Sequence, residues 1–218
     1  PARDRSEMTD PRPFRHEPVL VDLVRELFAP VPAGTVVDAT LGGAGHAAAL
    51  LESRPDLRVL GLDRDRDALV AARARLAPYG VRATAHHARF DQLATVVAAA
   101  GAADRPIVGV LFDLGVSSPQ FDRPERGFSY RHDAPLDMRM DPSAGPSAAD
   151  LVNTSDEREL ARILRTNADE RFAGRIARAV VAARPIRTTT ELAEVVVGAI
   201  PAPARRHGGH PAKRTFQA

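Results

Sequence analysis

The sequence predicts an α/β fold built on a parallel β-sheet, and two observations carry that prediction. Short apolar segments rich in β-branched residues alternate with segments of helical periodicity as far as residue 118. A glycine-rich turn, at residues 42–45, directly follows the first of the short segments. Such alternation is typical of a sheet whose two faces are both covered by helices. The chain of 218 residues, 44% of them hydrophobic, is long enough to bury a substantial core.

Four strands and four helices are expected in this first part of the chain. Residues 16–30 carry Leu20, Leu23, Val24 and Leu27 at helical spacing, with Pro18 near the start of the predicted helix. Buried strands are predicted at residues 35–39, 59–63, 81–86 and 107–112. Further helices are predicted between the strands, at residues 46–53, 65–76 and 91–100.

The alternation stops after Ser118. Residues 119–146 are rich in Pro, Asp, Arg and Gly and are typical of a long structured loop. Helices are expected beyond the loop, one capped by Ser155, one around residues 172–180 and one capped by Thr190. We therefore expect a first domain at residues 1–118, a helical insert at residues 119–204, and a basic segment at residues 205–218 that leads back to the first domain.

Composition excludes several classes of protein. The chain has no cysteine, which excludes disulfides and thiolate metal sites. No apolar run reaches the length of a transmembrane helix, so no membrane partner is expected. Residues 1–13 are typical of a flexible lead-in rather than a signal peptide, so a cytoplasmic location is expected. The histidine pairs, His86 with His87 and His207 with His210, lack cysteine or carboxylate partners at a set spacing, so no metal is expected.

The segment DATLGGAGH, residues 38–46, is the first candidate binding site. A strand, a glycine turn and a helix in succession leave backbone N–H groups pointing outward at the helix start. Glycine lets a ligand approach the backbone closely, so this arrangement suits a nucleotide or a nucleoside-like cofactor, although many such turns only connect elements. Asp63 ends the second predicted strand, where a carboxylate accepts hydrogen bonds from ribose hydroxyls. Its neighbours Asp65 and Asp67 fit the strand end less well.

The residues around this turn separate two classes of cofactor. A dinucleotide site needs the pattern G-x-G-x-x-G, which no register of LGGAGHAAA supplies. Asp38, directly before the turn, would oppose an anionic pyrophosphate and suits a positively charged methionine moiety. S-adenosylmethionine carries both an amino group and a sulfonium, so the residues favour this cofactor over a nicotinamide dinucleotide.

A longer block connects the sequence to a known family. The segment LFDLGVSSPQFDRPERGFSYRHDAPLDMRMDP, residues 111–142, resembles the central block of the bacterial ribosomal RNA small subunit methyltransferase H family. HEPVL, DATLGGAGH, GLDRD and HPAKRTFQA match the same family. The resemblance implies a class I S-adenosylmethionine-dependent methyltransferase, with a Rossmann-like parallel sheet and a helical insert domain. It also implies methylation of the N4 amino group of a cytosine in the decoding region of small-subunit (16S) rRNA, with free rRNA or the assembled small subunit as partner.

The resemblance also implies which residues bind the cofactor. Those that match the family's cofactor contacts are Ala44, Gly45 and His46 in the turn, then Asp63, Phe90, Asp113 and Gln120. Asp38 and Gly43 complete the candidate cofactor set. Two departures stand out: Thr40 and Ala44 occupy positions where class I enzymes often have glycine, and the match ends at Ala218, short of the family's C-terminal part. Because that part supplies the last strands, we expect the sheet to have an exposed edge.

Candidate residues for catalysis and RNA binding complete the interpretation. Our hypothesis is that Asp113, or a backbone carbonyl beside it, orients the target amino group or the cofactor; capping the next turn is the alternative. Phe128 and Tyr130 are candidate platforms for the target base; Tyr130 fits this role better, because Phe128 is slightly better suited to anchoring the loop in the core. Basic side chains that could contact phosphate are Arg126, Arg131, Arg205, Arg206, Lys213 and Arg214. A nicotinamide-dependent oxidoreductase and a non-catalytic RNA-binding or assembly module remain the alternative functions.

Overall fold

The computed structural model describes residues 18–101, 105–206 and 209–218. The expected lead-in at residues 1–13 and the first two residues of the predicted N-terminal helix lie outside the described residues. The chain divides into two compact units, which we call the sheet unit, ending at Gly115, and the helical unit, Val116–Ala218.

The sheet unit is built on four parallel strands, as predicted. They are β1 (Gly34–Asp38), β2 (Leu57–Asp63), β3 (Ala83–His87) and β4 (Ile107–Leu111), in the spatial order β3-β2-β1-β4. Asp38 at the end of β1 lies opposite Gly61 on one side and Leu111 on the other. The carboxyl ends of β1, β2 and β4 therefore meet at one edge of the sheet.

Helices cover both faces of this sheet because successive strand side chains point in opposite directions. They are α1 (Val21–Phe28), α2 (Gly45–Ser53), α3 (Arg66–Leu76) and α4 (Leu93–Ala99). Val36 packs with Leu50 of α2 and with Phe28 of α1, whereas the next residue, Val37, belongs to a second cluster that includes Leu93 of α4. Both central strand residues are fully buried.

Helix α1 and strand β3 begin later than predicted. Helix α1 begins at Val21 rather than near Pro18, because Leu20 has left-handed backbone angles and breaks the helix there. Leu20, Leu23 and Leu27 are exposed, so Val24 is the member of the predicted stripe that packs against the core. Strand β3 begins at Ala83, since the exposed Val81 lies in a 3₁₀ turn that follows α3.

Strand β4 is an edge strand among the described residues, as expected. It pairs with β1 on one side, and Ile107 and Val110 are 39% and 42% exposed. Gly109 lacks a side chain because Phe28 of α1 packs over it: an added Cβ would lie 2.4 Å from the Phe28 ring.

The helical unit contains α5 (Ser118–Asp122), α6 (Ala148–Thr154), α7 (Glu157–Ala168), α8 (Ala173–Ala182), α9 (Thr189–Ala199) and α10 (Lys213–Gln217). Two predicted caps were wrong: Ser155 ends α6 instead of capping α7, which Asp156 caps, and Thr188 rather than Thr190 caps α9. One apolar core joins α7, α8 and α9, with the fully buried Ile176 and Val196 at its centre. A cavity of about 260 Å³ with almost entirely apolar walls lies in this core.

The long loop of the helical unit is structured, as predicted, because buried groups fix it. Arg126 donates hydrogen bonds to the carbonyls of Arg139 and Met140, at 3.1 and 2.9 Å. The N–H of Leu136, a buried loop residue, donates to the carbonyl of Arg187 just before α9. These contacts join the two sides of the loop to each other and to the segment that precedes α9.

Gly127→Ala is expected to destabilise the helical unit by about 3 kcal/mol. Gly127 has a φ of 73°, and an added Cβ would lie 2.5 Å from the Pro135 carbonyl oxygen and 2.8 Å from the Asp137 nitrogen. Gly145→Ala is the matched control, because Gly145 has a φ of 76° but open space around it. Denaturant unfolding of both variants measures the difference; equal losses of stability would show that backbone crowding at Gly127 is unimportant.

Candidate functional site

Three carboxylates meet at the carboxyl edge of the sheet. Asp38 ends β1, Asp63 ends β2, and Asp113 lies two residues beyond β4. The chain moves from β1 outward to β2 and β3 and then returns to the other side of β1 at β4, so the strand order reverses between β1 and β4. Ligands of open parallel sheets bind at such a reversal, outside the strand ends.

The glycine turn between β1 and α2 lies over this edge. Its backbone bends twice into the left-handed region, at Gly42 (φ 52°) and at Ala44 (φ 61°), which directly precedes α2. Gly43 lies between them, partly exposed. Gly45 begins α2 and has little room for a side chain, since an added Cβ would lie 3.0 Å from the Pro18 ring. The structure therefore brings the predicted turn residues together above β1.

Asp63 holds the turn in place. One of its carboxylate oxygens accepts a hydrogen bond from the Gly42 N–H at 2.7 Å, and the other accepts one from the Asp65 N–H at 2.8 Å. An ionised carboxylate has about four acceptor positions, so acceptor capacity remains for a ligand's hydroxyl groups. Partial burial raises the pKa of Asp63, and hydrogen bonds from the backbone of Asp65, Gly42 and Arg64 oppose that effect. Asp65 instead caps α3, because its side chain accepts a hydrogen bond from the Asp67 N–H.

Asp38 is the most deeply buried of the three carboxylates, with 1% of its surface exposed. Burial raises its pKa from 3.8 to about 7, and the neighbouring charges of Asp63 and Asp113 add to the effect. A hydrogen bond from the Thr40 N–H at 3.2 Å acts in the opposite direction. Near pH 7 the site therefore holds a carboxylate whose charge a cationic ligand would stabilise.

We expect the free energy of unfolding of Asp38→Asn, relative to that of the unaltered protein, to increase as pH rises from 4 to 8. The pKa of Asp38 is higher in the folded state than in the unfolded state, so between about pH 4 and pH 7 the folded protein binds a proton that the unfolded chain does not. The stability of the unaltered protein therefore falls as pH rises through this range. The upper bound on this loss is about 4 kcal/mol. Urea unfolding at several pH values measures it, with Asp67→Asn as the exposed control; a difference that is independent of pH would contradict the assignment.

Asp113 is connected to the turn by two contacts that the sequence did not reveal. Its backbone N–H donates to the Thr40 hydroxyl oxygen at 2.7 Å. One of its carboxylate oxygens lies 3.6 Å from Nε2 of His46, which is buried at the start of α2. The Asp113 side chain remains 53% exposed, so it is available to a ligand. Thr40, noted in the sequence only as a departure from glycine, therefore joins the ends of β1 and β4.

Phe90 lies beyond β3, in a 3₁₀ turn before α4, and is 49% exposed. Its ring meets the ring of Phe112 edge to face, with centroids 6.0 Å apart. Phe112 follows β4 and is 47% exposed. Sequence reasoning missed Phe112, although an aromatic residue next to Asp113 at a strand end was a usable signal. The two rings give the sheet unit an exposed apolar surface suited to a flat ring.

The helical unit places several predicted site residues in its interior. Gln120 is buried, and its side-chain oxygen accepts a hydrogen bond from the Ser117 N–H at the start of α5. Phe128 is only 7% exposed and packs edge to face against Phe121, and Arg126 is equally buried. The prediction that Phe128 and Arg126 contact RNA was therefore wrong, because neither presents a surface to a ligand. Phe128 anchors the loop, which was the alternative.

The other predicted RNA contacts differ in exposure and in partners. Tyr130 is half-buried, and its ring is stacked on the ring of His210. Arg131 and Lys213 are exposed. Arg205 and Arg214 are exposed but donate to main-chain carbonyls that follow helices, those of Ile200 and Asp169 respectively. The side chain of Arg206 lies outside the described residues, as does His207.

No group of three or more histidine or carboxylate side chains is arranged to hold a metal ion in the part of the chain that the structure describes. Among the helices of the described residues, none is both long enough and apolar enough to cross a membrane.

Comparison with known proteins identifies similar sequences. The model of the MraW methylase family matches residues 13–218. Ribosomal RNA small subunit methyltransferase H of Mycolicibacterium smegmatis is 56% identical over 214 residues, which is 93% of this chain and 57% of the relative. The protein of the same name from Symbiobacterium thermophilum is 54% identical, covering 94% of this chain and 65% of the relative. The chain therefore spans less than two thirds of the length of these curated relatives.

Proposed function

The chain belongs to the MraW methylase family, and we propose that it binds S-adenosylmethionine and methylates the N4 amino group of a cytosine in the decoding region of small-subunit (16S) rRNA. The observation that carries the proposal is the meeting of Asp38, Asp63 and Asp113 beneath a glycine turn. The names of the relatives support rRNA of the small subunit as the substrate, and the resemblance described above supports cytosine N4.

The chemistry of the three carboxylates fits this cofactor. The free acceptor positions of Asp63 suit the two hydroxyls of a ribose. Asp38 and Asp113 place negative charge where a methionine moiety would bring an ammonium and a sulfonium. The same charges would repel the two phosphates of a nicotinamide dinucleotide, so the oxidoreductase alternative fits the site poorly. The rings of Phe90 and Phe112 offer an apolar surface for adenine.

The residues of the chain also suit the proposed chemistry. When bound, S-adenosylmethionine supplies an electrophilic methyl group. Cytosine N4 is a weak nucleophile because its lone pair is delocalised into the ring, and an acceptor on one N4 hydrogen localises that pair. Asp113 is the half-exposed carboxylate at the end of β4, and we assign it this acceptor role. His46 and Thr40 hold it in position, and positioning supplies much of the rate of such transfers.

The proposal assigns cofactor binding and RNA recognition to different parts of the chain. In the proposal, residues 1–118 bind the cofactor and the insert at residues 119–204 recognises the RNA. Residues 205–218, predicted as a segment that leads back to the first domain, belong to the helical unit and contribute to RNA recognition in the proposal. Arg131 and Lys213 are exposed cations that suit contacts with phosphate. An rRNA or small-subunit substrate implies a cytoplasmic location.

Two measurements test the proposal. Thermal unfolding with S-adenosylmethionine, S-adenosylhomocysteine or NAD should show stabilisation by the adenosyl compounds and none by NAD. Transfer of a labelled methyl group to 16S rRNA and to small subunits, followed by nucleoside analysis, should yield N4-methylcytidine. Stabilisation by NAD alone would favour the oxidoreductase, whereas cofactor and RNA binding without transfer would favour the non-catalytic module.

A further inference from the structure

A three-ring cluster in the helical unit has a geometry suited to an unpaired base. The rings of Tyr130 and His210 are stacked, with centroids 4.4 Å apart and planes 16° from parallel. Phe216 of α10 meets Tyr130 edge to face, with centroids 5.2 Å apart and an interplanar angle of 74°. Tyr130 is therefore enclosed by its two neighbours, and it cannot offer to a ligand the ring face that His210 covers.

His210 is the exposed member of the cluster and is held in a fixed orientation. Its Nδ1 accepts a hydrogen bond from the Ala212 N–H at 3.2 Å, so in the neutral ring Nε2 carries the proton. Tyr130 supports one face of the imidazole, and Ala212 is fully buried. A flat ring held at its edge and backed on one face is a preorganised stacking surface, which reduces the entropy lost on binding.

The surroundings of His210 favour a nucleic acid over an apolar ligand. Residues 205–214 contain four fixed positive charges and no acidic residue. Lys213 is exposed, and its N–H donates to the His210 carbonyl at 3.0 Å, so the cation and the ring belong to one short segment. Arg131 is exposed and directly follows Tyr130. Stacking on a ring beside cations is how proteins bind single-stranded nucleic acids.

We infer that His210, supported by Tyr130, is a stacking platform for an unpaired base of the RNA substrate, and that Lys213 contacts a neighbouring phosphate. This inference rests on the proposed function, since it supplies the base contact that Phe128 and Tyr130 do not provide. It assigns base recognition to His210, which the sequence analysis considered only as a member of a histidine pair unsuited to metal binding.

Binding of a fluorescein-labelled single-stranded oligoribonucleotide, followed by anisotropy over a range of salt concentrations, tests the inference. His210→Ala should weaken binding about tenfold without changing the salt dependence, because it removes a stacking surface rather than a charge. Lys213→Ala should reduce the slope of log affinity against log salt concentration by the amount that corresponds to about one phosphate contact. His210→Phe keeps the ring and should stay within about threefold of the unaltered protein. His132→Ala, at another exposed histidine of the helical unit, is the matched control.

A second probe reports stacking directly. A 2-aminopurine in the oligoribonucleotide should lose fluorescence on binding to the unaltered protein and to His210→Phe, but much less with His210→Ala. Unchanged affinity and quenching in His210→Ala would overturn the inference, as would a loss that His132→Ala reproduces. Cofactor binding tests the proposed function separately, because His210→Ala should leave the affinity for S-adenosylmethionine unchanged.

Discussion

Asp63→Ala is expected to weaken binding of S-adenosylmethionine about 100-fold or more, because two charge-assisted hydrogen bonds to the ribose would be lost. The same substitution removes the acceptor for the Gly42 N–H, which leaves the glycine turn less well fixed. Isothermal titration calorimetry measures the affinity. S-adenosylhomocysteine contains the same ribose but lacks the sulfonium, so its affinity should fall by the same factor.

The comparison of the two ligands makes this prediction specific. A substitution that acted through charge would weaken the sulfonium compound more than the uncharged thioether, whereas loss of a ribose contact affects both equally. Asp67→Ala removes an exposed carboxylate four residues along the same segment and should leave both affinities unchanged. Near-normal binding by Asp63→Ala, with its unfolding transition intact, would contradict the assignment of the ribose site.

The sheet unit shows which parts of a site local sequence can predict. Asp63 was predicted from its position at the end of an apolar strand, because parallel strands bring their carboxyl ends to one edge of a sheet. The hydrogen bond from Gly42 to Asp63 was not predicted, since it joins residues 21 positions apart and depends on the left-handed angles of the turn. The link between Thr40 and Asp113 spans 73 positions and was missed for the same reason.

The helical unit shows why surface chemistry is harder to predict. Phe128 and Arg126 have the composition of an RNA contact, yet both are buried, because the loop folds back and uses the guanidinium to satisfy its own carbonyls. Tyr130 and His210 are 80 positions apart, and each lies in a stretch without regular periodicity, so no local pattern indicates that they are stacked. Helix bounds erred by one or two residues wherever several Ser, Thr or Asp residues offered alternative caps.

The buried apolar positions of the strands were easier to predict than the caps. Val36 and Val37 are both fully buried, as expected of a central strand in a sheet covered on both faces. In α1, by contrast, the pattern indicated a helix but not how much of its apolar stripe is buried. Hydrophobic periodicity indicates whether a segment is a helix or a strand, whereas the burial of its side chains depends on what packs against it.

Asp113→Asn is expected to lower the rate of methyl transfer about 100-fold or more while changing the affinity for S-adenosylmethionine much less. An asparagine keeps the shape of the side chain and its backbone hydrogen bond to Thr40, but it loses the negative charge that would accept the N4 hydrogen. Single-turnover transfer to rRNA gives the rate, and calorimetry gives the affinity. A rate equal to that of the unaltered protein would remove Asp113 from the mechanism.

Thr40 provides the variants that separate the charge of Asp113 from its position. Thr40→Val removes the hydroxyl that accepts from the Asp113 N–H, and Thr40→Ser keeps it. If position matters, Thr40→Val should slow transfer, Thr40→Ser should restore it, and the effect of Asp113→Asn should shrink in the Thr40→Val background, because the two residues act as a unit. Full additivity of the two substitutions would show that Thr40 and Asp113 act independently, and Asp113 would then act through its charge alone.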